Sequence, residues 1–199
     1  AKDCAQNELI EYEGPEIMVD VSPPSTESAE LVIESGKPLI NKREVRFEFK
    51  GFHDPSGIAW YYYSTEDKGG TREGERLRGD VKSGTIKSET DGELHIYVWA
   101  EDKVGNISKA IHGKIKIDTK PPEVVKFVPA KPDTVGIESI KVNVKFSEPM
   151  YISTPLTVLL GTYKVEGNWV DSTTWQGRIN ITAQTTDGIY KFKVKNAKD

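Results

Sequence analysis

The feature that most constrains this sequence is an internal repeat with a period near 98 residues. The segment AKDCAQN at 1–7 corresponds to AEDKVGN at 100–106, a spacing of 99 residues (100 − 1). A second marker, DVSPP at 20–24, recurs as DTKPP at 118–122, a spacing of 98 residues (118 − 20). Two markers that share one period predict tandem modules, and about 100 residues is the length of a seven-stranded β-sandwich.

Alternating apolar and polar residues predict β-strands, and no segment carries a convincing helical period. The clearest strands of the first full module are EVRFEFK at 44–50, GIAWYYYS at 57–64 and ELHIYVWA at 93–100. Gly105-Asn106 predicts a tight hairpin before a last strand over 107–118, and the polar stretch 65–92 is typical of loops and short edge strands. In the second module, strands are expected near 123–128, 139–146, 156–165 and 189–196.

The double prolines predict the module boundaries, because proline cannot donate a hydrogen bond to a sheet. We expect residues 1–22 to be the closing strand segment of a preceding repeat and 23–120 to form an immunoglobulin-like β-sandwich. Residues 121–199 are expected to form a second sandwich that lacks its last strand.

This phase shift leaves a predicted open sheet edge beside the 189–196 strand. Open edges recruit strands, so residues 8–20 of one chain are expected to complete the second module of another. The result would be head-to-tail self-association by strand complementation. The alternative is that residues 1–20 pack onto the first module, or that the hairpin at 1–7 frays.

Several motifs resemble those of bacterial Ig-like tandem repeats of cell-surface or secreted proteins, which also resemble fibronectin type III modules. The run YVWAEDKVGNISKA at 97–110 resembles their closing hairpin, HDPSGIAWYYYS at 53–64 their second-to-third strand passage, and VKFSEPM at 144–150 the second strand of a related subtype. In TDGIY at 186–190, Tyr190 matches a tyrosine that hydrogen-bonds back to the backbone, where the first module has Leu94. The resemblance implies an all-β chain of tandem immunoglobulin-like β-sandwiches and a bacterial extracellular location, at the cell surface or secreted.

Composition argues against several classes of partner. The net charge is −4 and the pI about 5.6, whereas nucleic acids and anionic membranes require a basic face. Apolar stretches are interrupted by charges, which predicts no membrane insertion. Cys4 is the single cysteine, so the chain has no intrachain disulfide.

No motif predicts catalysis, a cofactor or a metal ion, so we expect the chain not to be an enzyme. The three histidines, His53, His95 and His112, accompany no nucleophile motif. Asp54, Asp102 and Asp118 offer oxygen ligands that could bind calcium at module ends, but such aspartates more often cap their own turns. No metal site is therefore predicted.

The aromatic residues predict one candidate ligand surface. If alternation runs unbroken from Ile58 and from Leu94, two neighbouring strands present four rings on the face away from the core, namely Tyr61, Tyr63, Tyr97 and Trp99. Flat exposed rings stack on sugars or on protein partners. The alternative is that the rings only pair across strands and stabilise the sheet.

These observations favour a non-catalytic extracellular repeat region that acts as a structural stalk or adhesion module. Its partner would be carbohydrate or another surface protein, bound through the aromatic sheet face. The alternative is an accessory module of a secreted polysaccharide-degrading enzyme whose catalytic domain lies outside this chain.

Overall fold

The computed structural model describes residues 4–5, 11, 13–129 and 134–198, and the regular structure in them is almost entirely β. One 3-10 turn at Glu34–Gly36 is the exception. The chain divides into two compact units, Ala1–Thr119 and Lys120–Asp199, which we call module one and module two. Each has two sheets enclosing its own apolar core, which confirms the predicted all-β fold of tandem sandwiches. No helix in the described part of the chain is long and apolar enough to cross a membrane.

Module one consists of a three-stranded sheet and a five-stranded sheet. The smaller has the order β1-β3-β6 and the larger β2-β8-β7-β4-β5. All neighbours pair antiparallel except β2 and β8, which pair parallel. The strands are β1 (Glu30–Ile33), β2 (Leu39–Ile40), β3 (Glu44–Lys50), β4 (Ile58–Ser64), β5 (Glu75–Arg78), β6 (Ser83–Lys87), β7 (Gly92–Asp102) and β8 (Ile111–Ile117).

The core of module one follows from alternation along β3 and β7. Val45, Phe47 and Phe49 are the buried positions of EVRFEFK, and every second residue between them is exposed. These side chains meet Ile96 and Val98 of β7 in a single cluster. A residue period of two thus places one face of each sheet inside the sandwich.

Module two repeats the two-sheet plan with different strand lengths. Its sheets have the orders β13-β14-β10-β9 and β12-β11-β15. The single strand expected over 156–165 is divided at Gly161, and β13 and β14 are not among the expected strands. The strands are β9 (Val124–Val128), β10 (Ser139–Phe146), β11 (Thr157–Leu160), β12 (Tyr163–Lys164), β13 (Glu166–Trp169), β14 (Thr174–Asn180) and β15 (Phe192–Lys195).

The tyrosine corner expected in module two is present. Tyr190 Oη donates a hydrogen bond to the Thr186 carbonyl oxygen at 2.7 Å. Its ring lies against Gly161, where a Cβ would stand 2.6 Å from Tyr190 Cδ1 and where φ is 62°. Glycine is required there on both counts, because a side chain would clash with the ring and the backbone is left-handed.

The predicted open edge corresponds to the free side of β15. β15 pairs with β11 on one side, and no strand among the described residues pairs with its other side. Residues 13–20 form no strand, and Ile17, Met18 and Val19 are strongly exposed, Met18 at 72%. Residues 8–10 and 12 lie outside the described residues, so association through 8–20 stays a prediction.

If residues 8–20 complete module two of another chain, the double substitution Ile17→Lys/Val19→Lys should abolish self-association. These side chains share one face of an extended segment, and two charges there oppose docking against an apolar sheet face. In analytical ultracentrifugation, the average mass of the wild type should rise above the 22.2 kDa of one chain as its concentration increases, whereas the mass of the variant should stay at that value. Val170→Lys, at another exposed valine, serves as control. A wild type that stays monomeric at every concentration contradicts the hypothesis.

Candidate functional site: the outer face of the five-stranded sheet

The predicted ligand surface required unbroken alternation along β4, and the structure breaks it at Ala59. Ile58 pairs with Asp102 and Trp60 with Glu101, so β4 has one residue more than β7 across this step. Such a bulge moves every later side chain to the opposite face. Tyr61 and Tyr63 consequently face the core, with Tyr61 only 1% exposed. Their predicted outward orientation is wrong.

Tyr61 is held in the core by aromatic neighbours. Its ring lies 4.7 Å from that of Phe49 and 5.5 Å from that of Phe52. Its hydroxyl reaches the rim of the core, where it accepts a hydrogen bond from Lys82 Nζ. Tyr63 packs in the same cluster, with its ring 5.0 Å from that of Phe47.

Along β7 the alternation runs as expected, yet Trp99 is also buried. Leu94, Ile96 and Val98 enter the core, which leaves Tyr97 and Trp99 on the outer face. Trp99 is nevertheless 0% exposed, so its predicted exposure is wrong.

Burial of Trp99 is caused by the loop over 65–74, which crosses the outer face. The indole Nε1–H of Trp99 donates to the Thr71 carbonyl oxygen at 2.6 Å. On its other side the ring stacks against Tyr62, with centroids 5.9 Å apart and planes at 15°. Gly74, at φ 138°, comes so close that a Cβ would lie 2.9 Å from Trp99 Cη2. A tryptophan on the outer face thus belongs to a second, smaller core beneath the loop.

An ion pair between the exposed Arg72 and the buried Glu101 fastens the same loop to the sheet. Arg72 donates through Nε and Nη2 to Glu101 Oε1 at 3.0 and 2.7 Å, and Tyr62 Oη donates to Oε2 at 2.5 Å. The hydrogen bond from Arg72 lowers the pKa of Glu101 below its usual range, although burial opposes this shift. Burial, followed by the hydrogen bond to Glu101, raises the pKa of Tyr62. Glu101 is therefore an ionised acceptor and Tyr62 a neutral donor at physiological pH.

The accessible aromatic part of this face lies further along β7 and on β8. The rings of His95 and His112 stack with centroids 5.0 Å apart, and Tyr97 stacks on His112 at 4.6 Å. We call Tyr97, His95 and His112 the aromatic patch; its residues are partly exposed. Glu93 and Lys114 flank it as an ion pair at 2.9 Å, and the hydrogen bond from Lys114 lowers the pKa of Glu93. Of the four predicted surface residues, Tyr97 alone contributes to this patch.

Of the three aspartates that the sequence analysis considered, Asp54 and Asp102 lie together at one end of module one. Asp118 follows β8 next to Gly92, at the other end of β7. Asp54 Oδ1 accepts hydrogen bonds from Ser56, and Asp102 Oδ1 accepts three from the backbone N–H groups of Val104, Gly105 and Asn106. Both cap their turns as expected, and Gly105 has the predicted positive φ of 100°. Asp54 and Asp102 also converge, with Asp20 as third carboxylate in place of Asp118. Sequence reasoning missed Asp20 because residues 1–22 were assigned to a preceding repeat.

No protein-family model matches the sequence, and no curated protein matches it. In structure, the chain is similar to the fibronectin(III)-like modules of CbhA from Clostridium thermocellum, at 11% identity and a TM-score of 0.38, over 83% of this chain and 84% of that one. It is also similar to the chitinase ChiA74 from Bacillus thuringiensis, at 15% identity and a TM-score of 0.39, over 92% of this chain and 30% of the chitinase. The chain thus spans about a third of that chitinase. These similarities concern the fold, which the sequence motifs also indicate.

Because Trp99 is enclosed, Trp99→Ala should destabilise module one by about 3–5 kcal/mol, as large aromatic deletions in cores do. Urea titrations of the full chain should show the loss in the transition of module one and none in that of module two. Tyr151→Ala, at a residue 61% exposed in module two, is the matched control. Equal stability of the Trp99 and Tyr151 variants would show that the loop does not cover the ring in solution.

The Arg72–Glu101 pair predicts a specific pH dependence. A free glutamate has a pKa of about 4.3, and the pKa of Glu101 in the folded chain is lower. The ionised Glu101 therefore stabilises the fold fully above the pKa of the unfolded chain. This stabilisation is lost as the pH falls through the folded pKa. Arg72→Met should therefore lower the Tm of module one at neutral pH, and the difference from wild type should close in acid. Arg78→Met, which removes an exposed pair with Asp80, should show a small difference at every pH. A difference for Arg72→Met that persists unchanged into acid contradicts this role.

Proposed function

We propose that this chain is a non-catalytic extracellular repeat region that acts as a structural stalk or adhesion module and binds carbohydrate or protein through the aromatic patch. The observation that supports this most directly is the stack of Tyr97, His112 and His95 on the outer face of the sheet. The patch lies on paired strands, so its rings are presented by a rigid support.

The chemistry of the patch suits a polyhydroxylated or mixed polar partner. A ring face offers apolar area on which the C–H side of a sugar, or another aromatic side chain, stacks. His95 Nδ1 and His112 Nε2 lie 2.8 Å apart, so one of these nitrogens donates a hydrogen bond to the other and fixes the orientation of both rings. The Glu93 carboxylate and the Lys114 ammonium stand beside the rings and can exchange hydrogen bonds with hydroxyl groups.

A second candidate is an accessory module of a secreted polysaccharide-degrading enzyme, with which the likeness to a chitinase agrees. In that setting the same patch would hold the enzyme on its insoluble substrate. The two functions differ in what the neighbouring coding sequence contains. A catalytic domain would favour the accessory module, and a cell-wall sorting signal would favour the stalk.

Tyr97→Ala should weaken binding to the partner by about fivefold, since loss of a stacked ring costs on the order of 1 kcal/mol. We would measure retention of the full chain on insoluble chitin and cellulose, and binding to glycan and surface-protein arrays. Tyr151→Ala, an exposed tyrosine of module two, should bind as the wild type does. Equal binding by both variants, or no binding by the wild type on any support, would count against the patch.

A further inference from the structure

Three carboxylates converge at one end of module one. One oxygen each from Asp20, Asp54 and Asp102 lies within 4.8 Å of the other two. Asp54 and Asp102 are 6% and 1% exposed, and Asp20 is partly buried. Three like charges at this distance repel one another strongly in a poorly solvated site.

The spacing is what a shared Ca²⁺ ion requires. Calcium binds six to eight oxygens at about 2.3–2.6 Å, so two of its ligands can stand no more than about 5 Å apart. The three aspartates meet this condition, and the donors are oxygens without nitrogen or sulfur, which favours a hard cation. Carboxylates and carbonyls in irregular turns suit calcium better than magnesium, which demands a near-octahedral arrangement.

An independent observation is the second carboxylate oxygen of Asp20. Oδ1 accepts a hydrogen bond from the Ser22 backbone N–H at 3.1 Å, whereas Oδ2 is shielded from solvent and has no hydrogen-bond partner within the described residues. A buried charged oxygen without a partner is costly and needs an explanation.

No cationic side chain in the described ranges pairs with the cluster. Asp20, Asp54 and Asp102 take part in no ion pair there. Lys103 approaches the turn that follows Asp54, with its Nζ 3.3 Å from where a Cβ of Gly57 would stand. Within the described residues, no ion pair therefore balances the negative charge of the three carboxylates.

Two of the three ligands are held in place before any ion arrives. Asp54 and Asp102 are fixed by their turns, and Asn106 Nδ2 donates to Asp102 Oδ2 at 2.8 Å. The same Nδ2 contacts the Asp20 carbonyl oxygen at 3.4 Å, which draws the segment before the double proline towards the turn over 102–106. The two preorganised carboxylates lose little entropy on binding an ion, so most of the ordering cost falls on the segment around Asp20.

We propose that Asp20, Asp54 and Asp102 bind one Ca²⁺ ion, which fastens the segment around residue 20 to the two turns of module one. The ion neutralises the convergent charge and supplies the missing partner of Asp20 Oδ2. Because Asp20 is far in sequence from both other ligands, removal of calcium releases this segment from the module. Calcium concentration thereby controls how rigidly the chain enters module one.

The test uses the full chain, stripped with EGTA and titrated with CaCl2 by calorimetry and by thermal unfolding. We expect one Ca²⁺ per chain, a rise of several degrees in the Tm of module one and protection of the bonds near residue 20 from proteolysis. Asp20→Asn and Asp54→Asn should each weaken binding by at least about tenfold, because the affinity of calcium sites depends on ligand charge. Asparagine keeps an oxygen for the turn of Asp54, so the apo variants should remain folded. Asp80→Asn, at an exposed aspartate, is the control.

Three results would overturn the proposal. One is the absence of any calcium-dependent heat or Tm change in the wild type at millimolar calcium. Another is a calcium effect of equal size in Asp20→Asn, Asp80→Asn and the wild type, which would place the ion elsewhere. The third is a rise in Tm with MgCl2 equal to that with CaCl2 at the same concentration, which would show that salt screens the charges and that no calcium-selective site exists.

Discussion

Ala59, the extra residue on β4, determines how module one distributes its aromatic rings. Without it, strict alternation from Ile58 would send Tyr61 and Tyr63 outwards and Trp60 and Tyr62 inwards. With it, both Tyr61 and Tyr63 join Phe47, Phe49 and Phe52 in the core, and the outer face receives a second set of rings. The bulge places Tyr62 next to Trp99, where the two stack. The outer face is therefore far more apolar than a solvated sheet face and must be covered.

The loop over 65–74 provides that cover, and its polar sequence conceals its packing role. Gly69 lies so close to the chain after β7 that a Cβ would stand 2.4 Å from the Ala110 nitrogen, and Gly74 leaves room for Trp99. Arg72 bonds to Glu101 and Thr71 to the indole N–H, so the polar groups buried under the loop have partners. These glycines let the loop backbone approach the sheet and the Trp99 ring closely, so their role is in packing and not in loop mobility.

Sequence reasoning succeeded where one local pattern determines the structure. EVRFEFK and the strand over 139–146 alternate cleanly, and both were placed with their exact bounds. Tyr190 was placed correctly because its corner depends on residues only four positions apart. β14 was missed because TWQGRIN interrupts its apolar residues with Gly177, where a Cβ would lie 2.4 Å from Trp175. Glycine at position 177 makes room for the Trp175 ring, and the local sequence pattern does not indicate this packing.

The errors at the candidate site have one physical origin, which is interaction between distant segments. Nothing near Ala59 in the sequence signals a bulge, because the register is set by pairing with β7, some forty residues later. The burial of Trp99 depends on a loop that is polar in composition, and a loop's composition does not say which surface it covers. The acidic cluster required Asp20 to meet turns at 54 and 102, although the repeat assigned it to a preceding module.

The position of Asp20 shows that the repeat period and the packing unit do not share a boundary. The double prolines mark the period accurately, yet Asn106 contacts the Asp20 carbonyl across the predicted boundary at residue 22. The period describes the order of residues along the chain, whereas a packing unit is defined by the residues that contact and hydrogen-bond one another. The carboxylate of Asp102 organises the turn after β7 through three backbone N–H groups. Its second oxygen binds Asn106, and Asn106 in turn contacts the preceding segment. A turn that ends one module's penultimate strand thus also anchors the chain that leads into the module.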